Sequence, residues 1–248
     1  MVMISKVIAV TGASRGIGAA IALELARRGF TVGCLTRKGR GLEAEDAGQY
    51  EPRFINVRCD VTDEASVKSA LAELTRGAGR LNGLVNNAGI HLDAASRELS
   101  TATYEKVMAT NATAVFAACR EAYPHLVKNG GGTIVNIGSF FDKIGVKRNV
   151  AYCASKAAVG AITRCLAVEW ADKGIRVLDI APGYIVTDLN RRAMTEGPLA
   201  DYLKRRIPSG APGAAADVAR LVASIFSEDI AFLSGETIYI DGAQGINH

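Results

Sequence analysis

The sequence lacks the patterns that a metal centre or a disulfide framework requires. Its five cysteines, Cys34, Cys59, Cys119, Cys153 and Cys165, are odd in number and include no Cys-x-x-Cys pair. Only His91, His125 and His248 accompany them, so no zinc spacing arises, and the thiols read as reduced and buried in a cytoplasmic protein. No apolar run approaches the ~18 residues of a membrane span. The first apolar segment begins at the fourth residue, which leaves no room for a signal peptide ahead of it. A formal charge of only +4, spread along the chain, argues against a nucleic-acid partner. Aromatic residues are scarce at 6%, so the adjacent pair Phe140-Phe141 stands out.

What is present supports a large core. Hydrophobic residues make up 49% of the 248, and charged residues 22%, as expected of one α/β domain spanning residues 1–248. Residues 4–10 form a short, nearly continuous apolar run, as in a strand buried on both faces of a parallel sheet. The run enters Thr11-Gly12-Ala13-Ser14-Arg15-Gly16-Ile17-Gly18, followed by a predicted helix over 19–28, Gly29 as its C-cap, and a strand over 31–36. Strand, glycine turn, helix and strand in that order are the context of a dinucleotide-binding turn. Glycines admit the pyrophosphate close to the backbone, and the helix start offers unpaired N–H groups and positive dipole. Three residues separate Gly12 from Gly16, where the common fingerprint has one.

The end of the second strand bears on the cofactor. An NAD enzyme carries an acid about 20 residues beyond the turn for the ribose 2′-hydroxyl. Here that place holds Thr36, then Arg37 and Lys38, with Arg15 in the turn itself. Guanidinium groups suit a 2′-phosphate, so NADP(H) is the expected cofactor, with NAD(H) as the alternative. The bland alternative for these residues is a solvated basic loop.

Further strands are predicted over 53–58, 81–85, 133–137, 174–180 and 237–240, with helices over 63–78 (capped by Thr62 or Asp63), 100–128, 152–170 and 214–226. Residues 39–52 are polar and glycine-rich, with room for a short helix. Asp60 and Val61 end the third strand, where open α/β sheets bind ligands, and adenine contact is expected of Asp60. Asn86-Asn87-Ala88-Gly89 ends the fourth, as a turn or as backbone support for the cofactor. Asn111, inside a helix of Ala, Val and Phe, is either a packing hydrogen bond or part of a site. Residues 187–212 have weak periodicity and five basic residues between Arg191 and Arg206, and read as a mobile substrate lid.

Residues 139–156 organise the rest. Tyr152 and Lys156 stand four apart on one predicted helix, hence on one face. An ammonium beside a phenol favours the phenolate. A tyrosine that donates protons near neutrality needs a shift of roughly 3 units, about 4 kcal/mol. One lysine is too little for that, and a cationic cofactor would add to it. Alone, such a pair is common on solvated helix faces.

Thr11 to Gly18, Asp60, Asn86-Asn87-Ala88-Gly89, Asn111, Ser139, Tyr152 with Lys156, and Pro182-Gly183 with Thr187 together resemble the short-chain dehydrogenase/reductase family over nearly the whole chain. The resemblance implies a Rossmann-type doubly wound parallel sheet of about seven strands, helices on both faces, and a homotetramer. It implies a catalytic tetrad of Asn111, Ser139, Tyr152 and Lys156, with Ile185 and Thr187 holding the nicotinamide carboxamide. Gly12, Ser14, Arg15, Gly16, Ile17, Gly18, Thr36, Arg37, Asp60, Val61, Asn87, Ala88, Gly89, Tyr152, Lys156, Pro182, Gly183, Ile185 and Thr187 make up the implied cofactor site. Arg15 and Arg37 mark an NADP-preferring member.

Within that family the chain is similar to 3-oxoacyl-acyl-carrier-protein reductases of fatty acid biosynthesis, including its segment 235–242. The expected reaction is NADP(H)-dependent reduction of a 3-oxoacyl thioester. Lys173 is placed to meet an acidic carrier, but Gly130-Gly131-Gly132 lacks the family's arginine. Arg191, Arg192, Lys204, Arg205 and Arg206 either contact an anionic substrate or are solvated. Phe140-Phe141 is a pocket wall or packing beneath the loop. His91 faces substrate or is a surface or core histidine; Asp142 and Lys143 pair or face water. The alternatives are an NAD(P)-linked dehydrogenase of a sugar or cyclic alcohol, and, in another class, a cofactor-sensing regulator without turnover. An intact tetrad argues against the regulator.

Overall fold

In the computed structural model, which describes residues 5–43, 45–228 and 230–247, β1 (Val7–Thr11) leads into α1 (Gly16–Arg27) and β2 (Thr31–Thr36). A 3-10 segment, Glu45–Arg53, carries the chain to β3 (Phe54–Arg58), α2 (Glu64–Ala78) and β4 (Gly83–Asn86). Then come α3 (Thr101–Met108), α4 (Ala114–Lys128), β5 (Gly132–Ile137), α5 (Val150–Glu169) and β6 (Ile175–Pro182). The remainder holds β7 (Ile185–Val186), α6 (Arg191–Thr195), α7 (Gly197–Arg206), β8 (Gly213–Ala214), α8 (Ala215–Ser227) and β9 (Thr237–Ile240).

Seven strands form one sheet in the order β3-β2-β1-β4-β5-β6-β9, every pairing parallel. β1 shows why both faces must be covered. Val7 and Ala9 belong to the core beneath α2, α4 and α5, while Ile8 and Val10 belong to the core beneath α1 and α8. All four are essentially without solvent contact. The chain is thus the doubly wound α/β sheet that the sequence pattern implies. Strand order reverses between β1 and β4, and the carboxyl ends on either side of that switch point hold the glycine turn and Asn86-Asn87-Ala88-Gly89.

The boundaries differ from expectation in instructive places. The first strand starts later than predicted, and Ile4 and His248 lie outside the described residues. The first helix starts earlier, at Gly16, because the turn itself winds into its first coil. Of the two candidate caps Thr62 and Asp63, Asp63 caps α2: its Oδ1 accepts from Ala65 N at 3.0 Å. The predicted helix over 100–128 is interrupted by a π-turn, Ala109–Thr113, with Asn111 inside it. Residues 187–212 hold two short helices, α6 and α7, the second entered through Pro198.

Candidate active site

The glycine turn is built by close approach. Gly12 has φ +66, a left-handed conformation that a side chain would strain. A Cβ on Gly18 would collide with Gly12 O and the Asn87 amide, so glycine lets α1 sit against the turn. Asn87 locks this corner from β4. Its Nδ2 donates to Thr11 O at 3.0 Å and Gly12 O at 3.3 Å. The Thr11 hydroxyl in return accepts from Asn87 N at 3.0 Å and Ala88 N at 3.1 Å. At the start of α1, Arg15 is extended and makes no side-chain cap, and the first turn carries no acid. Its N–H groups and dipole are left for an anion.

Arg37 and Lys38 are exposed beyond β2, and the Thr36 hydroxyl donates to Arg40 O at 3.1 Å. Glu43 N donates to Ser14 O at 2.8 Å, folding the loop back on the turn. Asp60 accepts from the Thr62 hydroxyl at 2.7 Å and Thr62 N at 3.0 Å. Those bonds, with a smaller contribution from the Arg37 charge, hold its carboxyl below the usual range.

Ser139, Tyr152 and Lys156 converge at the carboxyl end of β5. Ser139 leaves the strand in extended conformation, and its Oγ accepts from Phe141 N at 3.3 Å. The same hydroxyl acts on the Tyr152 phenol and pulls its pKa down. Burial outweighs that pull and pushes Tyr152 up to about 12. Lys156 stands 5.6 Å from the Tyr152 ring centre and donates to Ile137 O at 2.7 Å. Its hydrogen bond is therefore made to the strand end, and burial prevails at the phenol. Burial lowers Lys156 to about 8, while the Asp179 charge pulls it up.

Asn111 is fully committed as a side chain. Its Nδ2 donates to Ile90 O at 2.9 Å, and its Oδ1 accepts from Ile90 N at 2.8 Å. Nδ2 also reaches Ser155 Oγ at 3.2 Å, whose hydroxyl donates to Tyr152 O at 2.7 Å. Asn111 thus positions the helix that carries Tyr152.

Aromatic and polar walls flank the phenol. Phe140 and Phe141 are buried and meet Tyr184 edge-on at 5.6 and 6.0 Å; Phe141 meets Tyr152 at 5.9 Å. On the other side the His91 ring lies 4.7 Å from Tyr152, with Nε2 hydrogen-bonded to Asn149 Oδ1. Asp142 accepts from the Tyr239 hydroxyl at 2.9 Å, and Lys143 stacks over that ring rather than pairing with Asp142. Lys173 pairs with Asp172 at 2.6 Å; Arg191 and Arg192 are exposed and pair with Asp188 and Glu196.

Pro182 ends β6, and Ile185 and Thr187 follow Gly183 toward the turn, where a Cβ on Gly16 would touch Thr187 at 3.6 Å. Asn190, which sequence reasoning passed over, bridges this segment: its Nδ2 donates to Ile185 O at 3.0 Å and its Oδ1 accepts from Thr187 N at 2.7 Å. Also unforeseen is a buried chain from Asn86 Nδ2 to Asn136 Oδ1 (2.9 Å) and from Asn136 Nδ2 to Thr163 Oγ1 (2.9 Å), tying β4, β5 and α5 beneath the site. A polar residue within an apolar strand run was its only signal in the sequence.

The chain is similar to known proteins over nearly its whole length. A family model described as enoyl-(acyl carrier protein) reductase matches residues 12–244. The chain is 35% identical to D-threitol dehydrogenase of Mycolicibacterium smegmatis, over 97% of this chain and 93% of that protein. It is also 35% identical to the 3-oxoacyl-[acyl-carrier-protein] reductase FabG of Haemophilus influenzae, over 97% and 98%. A solved structure, ElxO with NADP bound, superposes with a TM-score of 0.89 at 30% identity, covering 98% of this chain and 100% of that one. With the parallel sheet, the glycine turn and the Ser139–Tyr152–Lys156 cluster in their expected order, the chain belongs to the short-chain dehydrogenase/reductase family and is an oxidoreductase.

Proposed function

We propose that this oxidoreductase is NADP(H)-dependent and interconverts a carbonyl and a secondary alcohol, with a 3-oxoacyl thioester as its substrate. The observation that carries the chemistry is the junction of Ser139, Tyr152 and Lys156 beside the β1/β4 switch point. The glycine turn (Gly12, Ser14, Arg15, Gly16, Ile17, Gly18) would hold the pyrophosphate. Thr36 and Arg37 would hold the 2′-phosphate, and Asp60 with Val61 the adenine. Asn87, Ala88, Gly89, Pro182, Gly183, Ile185 and Thr187 would hold the nicotinamide half. The absence of an acid after β2, with Arg37 and Lys38 in its place, supports a nucleotide with an extra phosphate, and an α1 start free of acids suits the pyrophosphate. When bound, the nicotinamide supplies or accepts hydride.

Tyr152 gives the substrate oxygen its proton in reduction and takes it back in oxidation. Ser139 donates to the same oxygen and stabilises the negative charge that develops there. Lys156, seated on Ile137 O, binds the ribose. Asn111 fixes α5 through Ile90 and Ser155, and its backbone in the π-turn holds the water that returns protons to Lys156. Residues 187–212 close over the substrate as a lid, and the protein works as a cytoplasmic homotetramer.

A second reading, a sugar or cyclic-alcohol dehydrogenase, is favoured by one observation. The His91–Asn149 pair makes one side of the phenol polar, suited to a neighbouring hydroxyl. Acetoacetyl thioesters, simple ketones and polyols assayed with NADPH and NADH in parallel separate the readings. Tyr152→Phe is expected to bind NADPH and lose at least ~100-fold in kcat. Full turnover in that variant removes the assigned proton donor, and no turnover of any substrate by the wild type removes the reaction.

A further inference from the structure

Lys156, Gly160 and Arg164 stand one turn apart on one face of α5. The notch over Gly160 is filled from the sheet. A Cβ built there would lie 3.9 Å from Asp179 Oδ2, 3.8 Å from Thr237 Oγ1 and 3.4 Å from an Arg164 guanidinium nitrogen. From the strand side, a Cβ on Gly138 would lie 2.5 Å from Asp179 Oδ1 and 2.7 Å from Oδ2. Two missing side chains, one on the helix and one beyond β5, leave room for one carboxylate.

That carboxylate is wholly buried. Oδ2 accepts a 3.3 Å hydrogen bond from the Thr237 hydroxyl, and Oδ1 has no hydrogen-bond partner. An anion so short of donors is costly in a protein interior and calls for a compensating charge. The charged and titratable groups around it are Lys156 and Arg164 on α5, Asp142 after Ser139, and Tyr239 on β9 with Lys143 over its ring. Arg164 acts on Asp142 and Tyr239, while Lys156 acts on Asp179. Lys156 is held nearby, since the carbonyl it binds belongs to Ile137, the residue before Gly138.

We propose that Asp179 is the buried counter-charge of Lys156, a positioning residue that keeps this lysine an ammonium seated on Ile137 O. The proposal rests on the assignment of Lys156 to the proton-transfer site above. No direct ion pair joins the two groups among the described residues, so the attraction acts across the buried interior, where charge is weakly screened. Asp179 never touches substrate; it acts through Lys156.

Asp179→Asn keeps the shape and the Thr237 contact while removing the charge. The Lys156 ammonium is titrated by NMR through its Cε resonance in protein carrying 13C-lysine, assigned by its loss in Lys156→Met. The midpoint is expected to fall by about one pH unit in Asp179→Asn, and the alkaline limb of kcat/KM to move with it. Thr237→Val, which removes the hydrogen bond and leaves the charge, is expected to leave the midpoint in place. An unmoved midpoint in Asp179→Asn overturns the proposal, as does an equal movement in Thr237→Val. Should Asp179→Asn fail to fold, Asp179→Ala carries the same readouts. The NMR midpoint needs no turnover, so a shifted Lys156 in a protein inactive on every carbonyl upholds the charge pairing and counts against the proposed reaction alone.

Discussion

The Lys156 ammonium donates a 2.7 Å hydrogen bond to the carbonyl of Ile137, the last residue of β5. The helix bearing the proposed proton donor is thereby tied to the strand that delivers Ser139.

Because burial lowers Lys156 to about 8, its charge is lost as pH rises through that value. The kcat/KM for nucleotide, which reports the free enzyme, is expected to fall above about pH 8. Stability moves the other way. The folded pKa lies below the ordinary 10.5, so between about 8 and 10.5 the unfolded chain holds more protons and folding strengthens as pH rises. Lys156→Met should abolish that rise. Thermal unfolding across the window checks it, and a rise that persists in the variant contradicts the assignment.

Asn190 offers a primary amide to Ile185 O and Thr187 N, the groups assigned to the nicotinamide carboxamide. Cofactor and side chain then compete for the same backbone. Asn190→Ala is expected to tighten NADPH by roughly 3- to 10-fold, about the worth of one hydrogen bond. Fluorescence titration of NADPH measures it; unchanged or weaker binding separates the two sites.

Asn87 satisfies Thr11 O and Gly12 O in a turn that has little room for water. Asn87→Ala leaves both carbonyls short of a donor and is expected to cost about 1–3 kcal/mol in stability. NADPH affinity should fall with it, because the turn loses its fixed shape. Urea unfolding and NADPH titration on the same preparation test both.

Arg37 is exposed and close enough to Asp60 to bear on its titration. With no acid at the end of β2, Arg37→Ala is expected to lower kcat/KM for NADPH by about 10- to 100-fold and leave NADH nearly unchanged. The NADPH effect should shrink with added salt. Equal losses with both nucleotides would assign Arg37 a structural role.

Much of this architecture was legible in residue patterns. β2 and β9 fall where apolar runs placed them: β2 is a buried inner strand, and β9, the half-buried edge strand, is marked by the same β-branched and aromatic run. Gly12 and Gly18 announced a close approach of backbone, found where the turn packs on itself and on Asn87 and Ala88, and the order of Ser139, Tyr152 and Lys156 announced residues that the fold brings together. The π-turn at Asn111 escaped notice, since one extra residue in a helix leaves its apolar periodicity almost intact. Sequence pattern leaves His91 open between a substrate-facing and a surface or core residue; its ring contact with Tyr152 exists because two loops, one after β4 and one before α5, meet across the site.

By itself the sequence determined the doubly wound sheet, its glycine turn and the family, since those rest on local periodicity and short motifs. The tertiary structure alone decided where charge goes. It aimed Lys156 at Ile137 O instead of the phenol, seated Asp179 between Gly138 and Gly160, and set Asn190 against Ile185. Each of those outcomes depends on desolvation and on contacts between segments far apart in the chain, or on how a loop folds back on itself. Neither quantity is carried by spacing along one helix.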